Sequence, residues 1–157
     1  MSGMGCVHDF ELIKLPEYIN IEEDNDTIYG RTIKSAIIHD DVIDYIDSQI
    51  GVEDNLFYQV PSINPGYEEA PYKNLIPKDE GFNSFGVTIF NQYSIKELRA
   101  MFLQWRVIAE KMPEAFFHDL DSQYQFDRLE LLKNIDLCLN FVEELQNPQY
   151  ILYHGGI

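Results

Sequence analysis

SIKELRAMFLQWRVIAEKM (residues 94–112) and FDRLELLKNIDLCLNFVEEL (residues 126–145) decide the fold. In the first stretch Ile95, Leu98, Phe102, Trp105, Ala109 and Met112 recur at alternating steps of three and four, which makes one apolar stripe on a helix. Met101 and Ile108 widen it. Ser94 and Glu97 match the S-x-x-E capping box, in which two first-turn donors are satisfied reciprocally. Pro113 stops the helix, because proline lacks the donor and disfavours a helical residue before it. In the second stretch Leu131, Ile135, Cys138 and Val142 form a column flanked by Leu132, Leu139, Phe141 and Leu145. Glu130, Lys133, Asp136, Asn140, Glu143 and Glu144 fill the remaining arc, and Asn147-Pro148 ends it. Two such helices joined by a short link, with Asp121 or Ser122 available to cap the second, should pack antiparallel. The aromatic and methionine stripe reads as core.

The segments before this pair read mainly as strands. Val7–Leu15 suits a short strand closed by Pro16, and Thr27–Ile33 is β-branched and aromatic. Together they suggest a hairpin around the acidic turn Glu22, Glu23, Asp24 and Asp26. From Asp40 to Ile50 the pattern is helical, with Val42, Ile43, Ile46 and Ile50 on one face and Gly51 as the stop. Leu56–Val60 reads as a strand, and residues 61–84 as a long proline-punctuated loop. Phe85–Phe90, apolar on both parities apart from Thr88, reads as a central strand. Tyr150–Tyr153 could add a last strand before a flexible Gly155-Gly156-Ile157 end. Strands early and long helices late predict an α+β fold: a mainly antiparallel sheet with the antiparallel helical pair packed on one face. With 157 residues the expectation is a single domain, residues 1–157, in which Met1–Gly3 is a leftover ahead of a start at Met4.

Lys plus Arg is 11 against 27 Asp plus Glu, for a net charge of −16. Such a surface repels nucleic acid and anionic lipid and attracts basic protein surfaces. No apolar run is long enough to span a bilayer, and the N-terminus has no signal-peptide pattern. Cys6 and Cys138 are too far apart in sequence for a metal or redox motif, and Cys138 sits on a buried column. A reducing cytoplasm is therefore expected.

Catalytic and cofactor motifs are missing from the sequence. The four histidines, His8, His39, His118 and His154, fall in no metal-binding spacing, and there is no nucleophile elbow or phosphate loop. Asp119–Glu130 approximates a calcium loop, but Tyr124 occupies the place where the sharp turn requires Gly. No cofactor and no metal are expected.

The acids are not evenly spread. Asp40 and Asp41 suit a helix N-terminus. Asp44 and Asp47 repeat the charge along the same helix, and no Lys or Arg lies between Lys34 and Lys73. Like charges four residues apart cost about 0.2–0.5 kcal/mol. This marks Asp40, Asp41, Asp44 and Asp47 as a candidate partner-binding face, with Glu22, Glu23, Asp24, Asp26, Tyr67 and Tyr72 as candidate neighbours. In composition and design the chain is similar to small cytosolic bacterial immunity proteins, which carry strong negative charge and exposed tyrosines beside carboxylates. That similarity implies a non-catalytic inhibitor of a basic toxin such as a nuclease. A nucleic-acid mimic, with carboxylates strung like phosphates, and an enzyme or metal-dependent sensor are the alternatives.

Overall fold

The computed structural model describes residues 7–15, 26–27, 30–65, 75–113 and 127–156. The strands are β1 (Val7–Lys14), β2 (Asp26–Thr27), β3 (Gly30–His39), β4 (Pro61–Ser62), β5 (Asp79–Glu80), β6 (Val87–Phe90) and β7 (Tyr150–Gly155). The helices are α1 (Asp40–Ile50), α2 (Ile95–Glu110) and α3 (Arg128–Glu144). The main sheet runs β2-β3-β1-β7-β6, antiparallel throughout, with β4 and β5 as a separate two-residue ribbon. The fold is α+β as the order of elements predicts.

The helical pair forms where the periodicity puts it. Leu98, Met101, Phe102, Trp105 and Ala109 of α2 are buried, as are Leu131, Ile135, Cys138, Phe141 and Val142 of α3. Burial pushes the Cys138 thiol well above its ordinary range, so it stays a neutral, apolar filler. Arg99 pairs with Glu143 at 2.7 Å and Arg106 with Asp136 at 2.8 Å. Early residues of α2 thus meet late residues of α3, which fixes the pair as antiparallel. The pair shares one core with Phe10, Leu12, Ala36, Ile38, Phe90 and Leu152 of the sheet. Phe10 and Phe102 meet edge to face, with ring centroids 5.6 Å apart. Asn134 of α3 also accepts the outward-pointing Ile37 backbone N–H at 3.1 Å, so the helix covers part of the β3 edge.

Several local expectations change. The capping box does not form. Ser94 is fully buried and donates its hydroxyl to the Pro61 carbonyl at 2.6 Å instead of capping α2. A 3-10 turn over Gln92–Ser94 leads into the helix, and Asn91 caps that turn. Asp127 is the N-cap of α3, accepting from the Leu129 and Glu130 amides, in place of Asp121 or Ser122. Leu56–Tyr58 is a 3-10 turn and not a strand, because the Asn55 side chain accepts from the Phe57 amide and supplies a local alternative to sheet pairing. The strand expected over Thr27–Ile33 is divided: Thr27 belongs to β2, which pairs back on Gly30, and β3 runs from Gly30 past Ile33 to His39. Helix α1 has the predicted bounds, and Gly51 ends it at φ 84°, a conformation that L side chains rarely adopt.

Phe85–Phe90 is not central. Phe85 is 81% exposed, and β6 is the edge strand, with β7 between it and β1. Its two-sided apolar pattern has a different cause. Phe90 faces the helices, while Ile89 joins Ile13, Leu15, Ile63 and Ile151 in a second small core on the other face. Ile63 also closes the free edge, exchanging two 2.9 Å backbone hydrogen bonds with Ile89. The C-terminal glycines are ordered as well. Gly155 pairs with Asp9 and with Val87, and the Gly156 amide donates to the Gly86 carbonyl at 2.8 Å.

Candidate interaction face and its buried support

Helix α1 starts at the end of β3 and lies over the sheet on Val42, Ile43 and Ile46, all buried. This turns the predicted acidic face outward, but the four carboxylates differ in what they do. Asp41 and Asp44 are exposed. Asp47 accepts from the Asn55 side-chain amide at 2.8 Å and from the Tyr58 hydroxyl at 2.7 Å. Asp40 accepts from His8 Nε2 at 2.7 Å. Asp47, which helix electrostatics leave unexplained, and Asp40, which suits the helix N-terminus, are therefore both structural ligands.

The four remain one electrostatic unit. Burial, then the charges of Asp40, Asp41 and Asp47, push the Asp44 carboxyl above its ordinary value, against a smaller lowering from His8. Burial, the hydrogen bond to Asp47 and the charges of Asp47, Asp44 and Asp40 push the Tyr58 phenol far up, so it stays protonated. His39, which precedes α1, is lowered by burial, with Asp41 opposing.

Beneath the face lies a hydrogen-bonded chain of residues far apart in the sequence. His8 on β1 and His154 on β7 are both fully buried on the side of the sheet that faces the helices. His8 Nδ1 and His154 Nε2 are 2.7 Å apart, and the rings are near parallel with centroids 5.0 Å apart. Asp40, His8 and His154 thus run in series from the surface into the core. Phe10, Phe57 and Phe82 enclose the inner end, with centroids 5.2, 6.2 and 4.8 Å from that of His154. Burial, then the charge of His8, pushes His154 down to about 3, so it is neutral at neutral pH. Its Nδ1 atom has no hydrogen-bond partner among the described residues. A second polar knot adjoins this one. Asn55 Oδ1 accepts from the Trp105 indole and from the Phe57 amide, both at 3.0 Å, while its amide holds Asp47.

Of the other candidate residues, Glu22, Glu23, Asp24, Tyr67 and Tyr72 lie outside the described residues. The backbone of Asp26 pairs with Arg31, at the far end of β3 from Asp40. At roughly 3.3 Å per residue that is about 26 Å along the strand, so Asp26 and the start of α1 are not neighbours. Among the described residues, Tyr58 lies beside the carboxylates, its hydroxyl on Asp47. Residues 119–126 of the calcium-like segment also lie outside the described residues, and Asp127 is engaged as a helix cap. A cleft of about 280 Å³ between β3 and α3 is lined by Ile37, His39, Asp127, Glu130 and Asn134 among others. No group of three metal-ligating side chains occurs among the described residues. No helix among them is long and apolar enough to cross a membrane.

Two signals for the missed residues were present. His8 shares the parity of Phe10 and Leu12, and His154 that of Leu152, so each histidine occupies an inward position of its strand. Asn55 directly precedes an apolar triplet, a position from which its side chain can turn the backbone. Comparison with protein-family models, curated proteins and solved structures gives no match.

Proposed function

We propose that this chain is a non-catalytic acidic binding protein that neutralises a basic partner, an immunity-type inhibitor of a bacterial toxin such as a nuclease, with α1 as the contact. The observation that supports this most is Asp44. It sits exposed beside Asp40, Asp41 and Asp47, whose charges add to partial burial in raising its pKa, at a position where an uncharged side chain would remove the repulsion. Retaining the charge there has a use if a cationic surface docks on it, since such a field speeds encounter. Tyr58 adds a partly exposed ring beside the carboxylates, held by Asp47, and tyrosine is a favoured anchor in interface centres. Cytoplasmic action belongs to the same reading.

This reading predicts a basic toxin domain encoded beside this gene, and that domain is the partner for the test. Asp41→Asn with Asp44→Asn should slow stopped-flow association and flatten its dependence on salt, leaving dissociation nearly unchanged. Tyr58→Ala should speed dissociation by about 2 kcal/mol if the ring is an anchor. Association rates at low salt that ignore the double substitution would leave the face as solubilising surface. Asp40 and Asp47 are poor choices for this experiment, because each also ligates a buried side chain, His8 and Asn55 respectively.

A further inference from the structure

The two buried imidazoles face each other with one nitrogen each, 2.7 Å apart, and that gap has room for one hydrogen. With both rings neutral, His8 donates Nε2–H to Asp40 and accepts at Nδ1 from His154 Nε2–H. With one proton added, His8 carries it as a cation held by Asp40 and donates Nδ1–H to His154 Nε2. A second proton sets N–H against N–H and places two cations with ring centroids 5.0 Å apart inside an aromatic enclosure. The bond must then break and the rings must separate.

Their surroundings determine what moves. His8 is bonded to Asp40 of α1 and meets the Phe57 ring edge to face. His154 packs against Phe57 and Phe82. Separation therefore acts on the seam between the sheet and the segment that runs from α1 through the 55–58 turn. The remaining groups facing that seam divide by side. Asp40 and Asp44 of α1 act on the pair directly, and Asp47 lies behind the neutral Tyr58. At the end of β3, His39 precedes α1. From α2 come Phe102 and Trp105, reaching the cluster through Phe10 and Phe57; β6 supplies Phe90 through Phe82. Among the described residues the charge facing the pair is on the α1 side, and the opposite wall is aromatic apart from Thr88, the β6 partner of His154.

We propose that the Asp40–His8–His154 chain is a proton-operated latch: it holds α1 and the 55–58 turn on the sheet while the facing nitrogens share one proton, and it opens when both must carry one. This goes beyond the binding role and does not depend on it. In the open form His154 regains its ordinary basicity, near 6.5, whereas closed it binds a proton only near 3. Opening therefore takes up a proton between these values, so acid favours it.

Amide hydrogen exchange of the full chain, corrected for intrinsic rates, tests this between about pH 7.5 and about pH 5, above the carboxylate range of about 4. Protection over residues 40–58 should fall relative to α2 and α3 by up to about tenfold per pH unit once the pH is below 6.5. His154→Phe, apolar and of similar shape, should abolish that dependence, while His39→Gln should keep it. A constant ratio of protection, a uniform loss across all elements, or an unaltered slope in His154→Phe would overturn the latch. If His154→Phe does not fold, ring-nitrogen spectra of the unsubstituted protein decide instead. The latch requires His154 to stay neutral at about pH 5 in the closed form; independent titration of both rings near their ordinary value of about 6.5, with α1 amide shifts unmoved, would overturn it.

Discussion

The seam between α2 and α3 and the seam beneath α1 are built on opposite principles. The first is dry: Leu98, Met101, Phe102 and Ala109 meet Leu131, Ile135, Cys138 and Val142, and its charged pairs sit outside at the rim. The second sets the buried Val42, Ile43 and Ile46 beside a polar network that runs from the partly exposed Asp40, Asp47 and Tyr58 to the buried His8, His154, Asn55 and Trp105. Apolar packing is tolerant, since any side chain of suitable volume contributes. A buried polar network is demanding, since removal of one member leaves others unsatisfied. The first seam makes the domain stable. The second fixes where one particular helix lies, and that helix carries the acidic face.

Truncations separate the two. The largest effect is expected from Phe102→Ala, which opens a cavity in the dry core and should cost about 3–5 kcal/mol in denaturant unfolding. A cost below about 1 kcal/mol would mean that the helical pair is not the main source of stability. Asn55→Ala removes far fewer atoms, yet it strands the Trp105 indole, the Phe57 amide and one oxygen of Asp47. It should cost about 2–3 kcal/mol and shift tryptophan fluorescence, because the indole loses its acceptor. A neutral result would show that the network only decorates the seam. Asp44→Asn should have the smallest effect and the opposite sign: about 0.2–0.5 kcal/mol of added stability at neutral pH from relieved repulsion. The raised Asp44 pKa sets the pH dependence. The penalty applies where Asp44 is ionised and fades as acid protonates it, so the advantage of the substitution should vanish near and below pH 4. An advantage that persisted there would mean that the gain comes from helix propensity and not from charge.

The same contrast explains what could be read in advance. Helices α1, α2 and α3 were legible because each repeats a local rule every three or four residues, over eleven to seventeen positions. The short elements were not. Ser94 has the sequence of a capping box, but its hydroxyl donates to the Pro61 carbonyl, 33 residues away in sequence. Phe85–Phe90 reads as a central strand because both its faces are apolar, yet burial of both faces does not require pairing on both edges. Here Ile63 from a distant loop covers the edge.

By itself the sequence determined the fold class, helices α1, α2 and α3, the strong negative charge and the concentration of carboxylates on α1. These follow from periodicity and composition, which are properties of neighbouring residues and of the whole count. Only the tertiary structure decided that His8 and His154, 146 residues apart, share a hydrogen bond, and that Asp40 and Asp47 point partly inward as ligands. It also placed Tyr58 beside the acids. The physical reason is that strand order is set by which faces bury together, and with β7 inserted between β1 and β6, the two ends of the chain become adjacent strands. No local rule in either end encodes that adjacency.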